Sequence, residues 1–343
     1  MNILIIGFGS VGSHYFKILK NDKKIKNIYV LDTEKKIYHK KIKQINQKDF
    51  LKNKYKINYA IICTPSSNHY YHANLCLEKK INVLIEKPFV LKLHEAKKLI
   101  SLAKKTKVKC WTALQNRYNL AVEKMLETVK SKKIGKIVTV ESNLFWHRSR
   151  KYYSNNWRGK YATDGGVLVN QGIHLLDILI YIFGEIKNFN VFASFNKKKL
   201  EAEDLISINF LHKNGVISSY KATTRADRDY EVSIDVIAEK KRFKIRGISL
   251  NSFHYWKKNK FLKSNKSSEF FKNINDPKSG MGNGHKKILK EFLDKKINKS
   301  SKNIEIKNNL YVLRTIHSIY NCLLRKNKNL ITVKNKQSKL GIK

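Results

Sequence analysis

Cysteine is scarce in this chain, with four residues in 343. They are widely scattered and show neither the paired spacing of a zinc site nor a disulfide framework: Cys63, Cys76, Cys110 and Cys322. The sequence therefore predicts no metal site and no disulfide, and free thiols fit a reduced cytoplasm.

Long apolar runs are also lacking. The apolar start, Met1–Ile6, has no basic leading region, is ended by the glycines from Gly7 onward and is too short to span a bilayer. No other run reaches transmembrane length, so we predict neither a signal peptide nor a membrane partner. The length of the chain allows a large core and predicts two domains.

Acidic residues are few: 26 Asp and Glu stand against 71 Lys and Arg, for a net charge of +45. Such an excess is typical of proteins that bind nucleic acid or membrane surfaces. Here the lysines are spread along the whole chain among asparagine and isoleucine, and no basic run accompanies an aromatic platform or a helix-turn-helix pattern. We therefore predict no nucleic-acid partner, and we expect the basic surface to steer an anionic substrate toward the protein.

A glycine-rich turn is the first feature that is present. The apolar strand at the amino terminus leads directly into Gly7-Phe8-Gly9-Ser10-Val11-Gly12, and helical spacing follows. In a dinucleotide-binding fold, Gly7 makes the tight turn, Gly9 admits the pyrophosphate and Gly12 lets the helix pack on the strand. The helix amino terminus then offers N–H groups to the phosphates.

An acidic residue follows at the spacing that this fold requires. The strand 28–31 ends in Asp32, twenty residues past Gly12. A carboxylate there accepts the ribose hydroxyls and repels a 2′-phosphate, which predicts NAD in preference to NADP. Lys35 and Lys36 come soon after and could host a phosphate, so NADP remains the second choice.

Two further strands end in polar turns. Strand 59–63 leads into Thr64-Pro65 and His69, and a helix over 70–79 leads to strand 81–85, which ends in Glu86-Lys87-Pro88. Proline ends the ladder, and the lysine places an amine at the carboxyl edge of the sheet, where ligands of doubly wound folds bind. His69 and His72 lie three apart, but without a third ligand nearby we favour a histidine that contacts cofactor or solvent over a metal site.

The pattern changes after about residue 131. A helix over 93–105 and a strand over 108–113 complete a Rossmann domain, residues 1–118, with a doubly wound parallel sheet. Residues 137–145, 204–212, 215–223 and 230–238 alternate between apolar and polar, which predicts a meander of long antiparallel strands. We predict a second, α+β domain over residues 119–343 with a large open, mainly antiparallel sheet. A helix over 284–326 is expected to pack back on the first domain.

The open face of that sheet predicts self-association. Four long alternating strands would leave a larger exposed apolar patch than a monomer tolerates. We therefore expect a homodimer or homotetramer.

A second polar cluster lies between Asp164 and Asp177. A helix from about Leu168 would place Asn170 and His174 on one face, with Asp177 one turn further. A single helical histidine is ordinarily satisfied inside the core, so this cluster gains weight only from its combination with Lys87.

These motifs together resemble the glucose–fructose oxidoreductase / inositol dehydrogenase (Gfo/Idh/MocA) family over nearly the whole chain. The matching segments, in order, are Gly7–Gly12, Thr64-Pro65 with His69, Glu86-Lys87-Pro88, Gly135-Lys136-Ile137, Gly165–Asp177, Glu203-Asp204-Leu205 and Gly284-His285. A subset that oxidises the 3-hydroxyl of UDP-N-acetylglucosamine-type sugars is similar also at residues 115–119 and at Trp157-Arg158-Gly159.

The resemblance implies an NAD(P)-dependent oxidoreductase that transfers hydride between nicotinamide and a ring hydroxyl of a sugar or nucleotide sugar, in surface-polysaccharide biosynthesis. It implies Lys87 and His174 as the catalytic pair, and it implies an aspartate where this chain has Asn170. Histidine suits the role of base near neutral pH, and a lysine suits the developing alkoxide. We expect an Asn170→Asp variant to remain active.

Candidate ligand residues follow from these motifs. The cofactor set is Gly7, Phe8, Gly9, Ser10, Val11, Gly12, Asp32, Thr64, Pro65, His69, Glu86, Lys87 and Gln115. The substrate set is Asn170, Arg117, Tyr118, Asn119, Tyr152, Trp157, Arg158 and Asp177. Two alternatives stay open, a free cyclitol or monosaccharide dehydrogenase and a non-catalytic NAD(P)-binding regulator.

Overall fold

The computed structural model describes most of the chain, in eight segments. These are residues 1–34, 36–131, 133–154, 157–196, 200–257, 267–272, 284–294 and 304–324. Lys35 lies outside them, as do residues 295–303, 325 and 326 of the helix expected over 284–326.

The first domain is a parallel sheet flanked by helices. Its strands are β1 (Asn2–Ile6), β2 (Asn27–Leu31), β3 (Ile42–Gln44), β4 (Tyr59–Ile62), β5 (Asn82–Ile85) and β6 (Cys110–Thr112), in the order β3-β2-β1-β4-β5-β6. Its helices are α1 (Ser10–Leu19), α2 (Gln47–Leu51), α3 (His69–Glu78) and α4 (Leu93–Thr106). The central strand β1 is buried on both faces, as expected for a strand covered by helices on each side. This confirms the doubly wound fold.

The second domain begins with helix α5 and is organised around a mixed sheet. Its helices are α5 (Leu120–Lys130), α6 (Arg150–Tyr153), α7 (Val167–Asn170) and α8 (Ile173–Phe183). Its strands are β7 (Ile137–Phe145), β8 (Ile186–Ser194), β9 (Leu205–His212), β10 (Ile217–Thr223), β11 (Val232–Ala238), β12 (Arg242–Gly247), β13 (Ser252–Lys257) and β14 (Ser267–Lys272).

The order of these strands corrects the predicted meander. The sheet runs β14-β13-β12-β11-β7-β10-β9-β8, so β7, the earliest strand in sequence, is inserted near its centre. It pairs parallel with β10 and antiparallel with β11. The prediction of a mainly antiparallel sheet is confirmed, and the predicted meander is wrong. Alternation of side chains shows which face of a strand is buried, but it carries no information about which strands are its neighbours.

The carboxyl-terminal part forms two helices rather than one, α9 (Gly284–Leu293) and α10 (Ile306–Leu324). Helix α9 buries Ile288 and Phe292 against one face of the parallel sheet. Helix α10 places Leu313 in the core on the other face of that sheet and Ile316 in the core of the second domain. The two helices therefore join the domains.

The outer face of the second sheet is mixed in character. On β7, Val140, Ser142 and Leu144 face the core, and Glu141 between them is exposed. Phe192 on β8 and Ile217 on β10 are more than half exposed, and Ile237 on β11 is 38 % exposed. This face therefore carries both charged and apolar side chains, and self-association through it stays a prediction. Within the described residues, no helix is both long and apolar enough to cross a bilayer.

Candidate active site

The glycine-rich turn between β1 and α1 forms an open cradle. Gly7 has φ +87°, and a Cβ on it would lie 2.9 Å from the backbone of Cys63. A Cβ on Gly12 would collide with the carbonyl oxygen of Gly7, so glycine is required where α1 approaches the loop. No described residue comes within 4 Å of a Cβ built on Gly9. The space over Gly9, at the start of the helix that Ser10 and Val11 open, fits a pyrophosphate.

Asp32 lies immediately after β2 and is joined to this cradle. Its Oδ2 accepts a hydrogen bond from Phe8 N at 2.6 Å, and its Oδ1 accepts one from Glu34 N at 2.9 Å. A carboxylate has further lone pairs. The side chain is thus fixed beside the glycine turn, and the cradle and the acid together fit a nicotinamide dinucleotide.

His69 ties together the turns after β4 and β5. Its Nδ1 lies 2.8 Å from the carbonyl oxygen of Pro88, and its Nε2 lies 2.9 Å from that of Thr64. Both ring nitrogens are therefore engaged by the protein, which leaves none for a metal. Burial lowers the pKa of His72 to about 4. No group of three potential ligands was found among the described residues.

Glu86 and Lys87 point in different directions from the end of β5. Glu86 is buried, and its Oε1 accepts a hydrogen bond from Tyr15 Oη at 2.8 Å and lies 3.8 Å from His285 Nε2. Lys87 Nζ donates a hydrogen bond to the carbonyl oxygen of Asn170 at 2.6 Å. Burial lowers the pKa of Lys87, and the carboxylates of Glu86 and Asp164 oppose that effect. The lysine amine therefore bridges the two domains.

His174 lies in the first turn of α8 and is close enough to Lys87 to feel its charge. Burial, followed by the charges of Lys87 and His285, holds the pKa of His174 well below its usual range. Its Nδ1 is buried and has no hydrogen-bond partner among the described residues, although the side chain as a whole is partly exposed. A neutral imidazole with an unused nitrogen can accept a proton.

The helix expected from Leu168 is broken, which corrects the predicted geometry. Helix α7 ends at Asn170 and α8 begins at Ile173, and Gly172 N closes the turn by donating to Val167 O at 2.7 Å. A side chain on Gly172 would collide with Tyr220 Oη. Asn170 and His174 therefore belong to separate short helices, and the main-chain carbonyl oxygen of Asn170 contacts Lys87 Nζ.

A buried glutamate holds α7 in place. Glu203 Oε1 accepts hydrogen bonds from Leu168 N at 2.9 Å and from Tyr320 Oη at 3.2 Å, and its carbonyl oxygen accepts from Val167 N at 2.8 Å. Burial raises the pKa of Glu203 to about 7. The segment Glu203-Asp204-Leu205 thus acts on the site by fixing the helix that carries Asn170.

Three of the predicted substrate residues surround Asn170. Its Nδ2 donates to Asp164 Oδ1 and Oδ2 at 2.8 and 2.7 Å and lies 3.3 Å from Tyr152 Oη. Arg158 donates to the same phenol oxygen. The Arg158 guanidinium lies 3.9 Å from the centre of the Tyr152 ring and 4.2 Å from that of Trp157. The structure therefore brings together Tyr152, Trp157, Arg158 and Asn170 in one cluster.

Sequence reasoning missed Asp164 and Arg148. Asp164 directly precedes the twin glycines, and a carboxylate at the mouth of that motif is the signal that could have found it. Arg148 stacks on Trp146 at 4.7 Å and on Tyr152 at 5.6 Å. Nothing in the sequence distinguishes Arg148 from the many other basic residues.

The other predicted substrate residues lie in the interior, and their role toward a substrate stays a prediction. Arg117 and Asp177 are 4 % and 1 % exposed and form an ion pair with each other. Tyr118 donates to Glu291 Oε2 at 2.7 Å, and Asn119 Nδ2 donates to the carbonyl oxygen of Ser249 at 2.5 Å. Their polar groups are used in joining elements of the fold. Gln115 is also buried, but its Oε1 has no partner among the described residues.

A dinucleotide cradle faced by a lysine and a histidine from two domains defines a Rossmann-type oxidoreductase architecture. The family models agree: residues 1–114 match "Oxidoreductase family, NAD-binding Rossmann fold" and residues 122–244 match "GFO/IDH/MocA C-terminal domain". The chain belongs to the GFO/IDH/MocA oxidoreductase family.

Individual curated relatives match this chain at low sequence identity and over only part of its length. Oxidoreductase P35 of Formosa agariphila is 30% identical over 47% of this chain and 50% of its own length. Myo-inositol 2-dehydrogenase of Thermotoga maritima is 22% identical over 71% of this chain and 74% of its own. The chain thus spans about half the length of the first of these relatives.

Solved structures share the fold. The WlbA dehydrogenase of Bordetella pertussis, in complex with NADH and UDP-GlcNAcA, superposes with a TM-score of 0.76 and 19% identity. The match covers 93% of this chain and 95% of that one. At this identity the likeness concerns the architecture of both domains.

Proposed function

We propose that the protein is an NAD-dependent oxidoreductase that transfers hydride between nicotinamide and a ring secondary hydroxyl of a sugar. The observation that carries this proposal is the meeting of Lys87 and His174 across the two domains. Lys87 ends the strand beside the cofactor cradle, and its amine reaches the helix pair that holds His174.

Each of these residues suits one part of the chemistry. The nicotinamide, when bound, supplies the redox capacity. His174 accepts the hydroxyl proton, because its low pKa keeps the imidazole neutral and its side chain is partly exposed. The Lys87 amine stabilises negative charge that develops on the sugar oxygen.

The substrate proposed is a nucleotide-linked, UDP-type amino sugar of surface-polysaccharide biosynthesis. The cluster around Asn170 supports this choice, because Arg148 and Arg158 both lie near enough to Lys87 to lower its pKa. The Arg158 guanidinium, stacked on the Tyr152 ring, favours a ligand that carries negative charge, whereas Arg148 is already paired with Asp229 Oδ1 at 2.9 Å. The similarity of the fold to a dehydrogenase bound to UDP-GlcNAcA points the same way.

Two alternatives come from other classes of activity. A free cyclitol or monosaccharide dehydrogenase is the second candidate, favoured by the relative named myo-inositol 2-dehydrogenase. A non-catalytic NAD(P)-binding regulator is the third, although the unused nitrogen of His174 speaks against it.

One screen separates these candidates. Purified protein with NAD is assayed for NADH formation with UDP-N-acetylglucosamine, UDP-N-acetylglucosaminuronate, myo-inositol and glucose, and cofactor affinity is measured in parallel. The proposal expects turnover with a UDP-sugar that exceeds turnover with the free polyols by at least about tenfold. Preference for inositol or glucose would support the second candidate, and tight NAD binding without turnover would support the third.

A further inference from the structure

Asp164 is a buried carboxylate to which the proposed proton transfer assigns no role. It is 3 % exposed. Its two oxygens accept hydrogen bonds from Asn170 Nδ2 at 2.8 and 2.7 Å, and Gly159 N donates to Oδ2 at 3.3 Å. These contacts connect Asp164 to the residue whose carbonyl oxygen binds Lys87.

The contacts fix the direction in which the Asn170 amide faces. An ionised carboxylate only accepts hydrogen bonds, so the amide group turned toward it must be NH2. The reverse rotamer would set an amide oxygen against two carboxylate oxygens. Asn170 Oδ1 must therefore lie on the side of the amide that faces away from Asp164.

That oxygen is available to a ligand. The hydrogen bonds of the Asn170 amide to the described residues are all made by Nδ2, and Asn170 is only partly buried. The main-chain carbonyl of the same residue binds Lys87 Nζ. An acceptor beside the lysine amine can receive a hydrogen bond from the sugar hydroxyl while the lysine donates one.

We propose that Asp164 is a positioning residue, which holds the Asn170 amide so that Oδ1 is presented to a substrate hydroxyl next to Lys87. This inference rests on the proposed function of the site. It predicts that the identity of residue 164 determines which side chains are tolerated at residue 170.

The first consequence concerns Asn170→Asp, which the sequence alone predicts to be active. In the structure this change places two carboxylates in hydrogen-bond contact, and such a pair must either share a proton or move apart. Exchange of the two residues, Asp164→Asn with Asn170→Asp, restores one donor and one acceptor. The exchanged pair is therefore the informative variant.

Steady-state kinetics with NAD and UDP-N-acetylglucosamine test the positioning role. We expect Asp164→Asn and Asn170→Asp each to lower kcat/KM for the sugar nucleotide about tenfold or more, with the Kd for NADH within about twofold of wild type. The exchanged pair should recover a kcat/KM within about threefold of the wild-type value. Asp235→Asn removes a carboxylate that pairs with Arg242 on the second sheet, and it serves as the matched control.

A second measurement does not depend on turnover. Thermal unfolding of Asn170→Asp should show a larger loss of Tm at pH 8 than at pH 5.5, because the two carboxylates can share a proton only at the lower pH. The groups that face this pair are Lys87, Arg158 and Tyr152. The exchanged pair should show no such dependence.

The outcomes separate the two proposals. An unchanged kcat/KM in Asp164→Asn, or an exchanged pair as impaired as the sum of its single variants, would overturn the role of Asp164. If the wild type turns over neither UDP-N-acetylglucosamine nor myo-inositol, the proposed function fails instead. In that case the unfolding experiment still tests the contact between residues 164 and 170. An equal loss of Tm at pH 5.5 and pH 8 in Asn170→Asp, without recovery in the exchanged pair, would contradict that contact.

Discussion

Arg117 and Asp177 form a buried ion pair that connects the two domains. Arg117 Nε donates to Asp177 Oδ2 at 2.9 Å, and Arg117 Nη2 donates to Asp177 Oδ1 at 2.5 Å. The guanidinium also donates to Asn309 Oδ1 of α10 at 2.9 Å and lies 4.4 Å from the centre of the Tyr181 ring. Three segments distant in sequence are thus held at one charged centre.

Removal of one charge from this pair should destabilise the protein strongly. In Asp177→Asn the Arg117 guanidinium stays buried without its counter-ion, for which we expect a loss of about 3–5 kcal/mol in the free energy of unfolding. Urea denaturation measures this loss, with Asp235→Asn, which breaks a partly exposed pair, as control. An unchanged midpoint would show that the pair contributes little to the joint between the domains.

Cofactor preference should follow from Asp32. Because its carboxylate is fixed beside the glycine turn by Phe8 N, we expect tighter binding of NAD(H) than of NADP(H). Asp32→Ser should narrow the difference between the affinities for NAD(H) and NADP(H). The control variant Asp22→Ser, in the loop after α1, should leave that difference unchanged. Titration calorimetry gives both affinities, and equal or tighter NADP(H) binding by the wild type would contradict the assignment.

Lys87 and His174 should act on one proton-transfer step. We predict that Lys87→Ala and His174→Ala each lower turnover by about two orders of magnitude or more, and that the double variant adds little. NADH affinity should change little in each, and Lys92→Ala provides an exposed-lysine control. Wild-type turnover in His174→Ala would mean that this histidine is not the base.

Stability should depend on pH through Glu203. Burial raises its pKa to about 7 in the folded state, so the folded protein binds a proton that the unfolded chain has already released. Glu203 contributes roughly 2–4 kcal/mol to the free energy of unfolding. This contribution is complete below about pH 4.5 and is lost as the pH rises to about 7.

Glu203→Gln tests this assignment, because the amide oxygen can still accept from Leu168 N but cannot ionise. In chemical denaturation, we expect the free energy of unfolding of the variant, minus that of the wild type, to be larger at pH 8 than at pH 5. The same difference between variant and wild type at both pH values would exclude ionisation of Glu203 as the cause.

The cofactor half of the site was largely predictable from sequence. Gly7, Gly12 and Asp32 have roles set by local geometry, in which a turn, a close approach and a strand end follow each other within thirty residues. The prediction of the fold class succeeded for the same reason. Such motifs can be recognised in the sequence because their residues lie close together in the chain.

The contacts of the other candidate site residues could not be predicted from local sequence, because they join distant segments. Arg117 belongs by sequence to a polar turn over the site, yet its partners come 60 and 192 positions later. Gly172, in the break between α7 and α8, leaves no room for a side chain because Tyr220 of β10 packs against it, and no local pattern predicts this contact. The parallel pairing of β7 with β10 is equally non-local.

Helices α9 and α10 bear on how the chain folds as it is synthesised. The parallel sheet receives Phe292 on one face and Leu313 on the other, and Ile316 belongs to the core of the second domain. All three cores therefore lack part of their apolar lining until the ribosome has translated more than three hundred codons. A nascent chain stalled before that point would expose the unfinished cores to chaperones, and folding of both domains should reach completion together rather than one domain at a time.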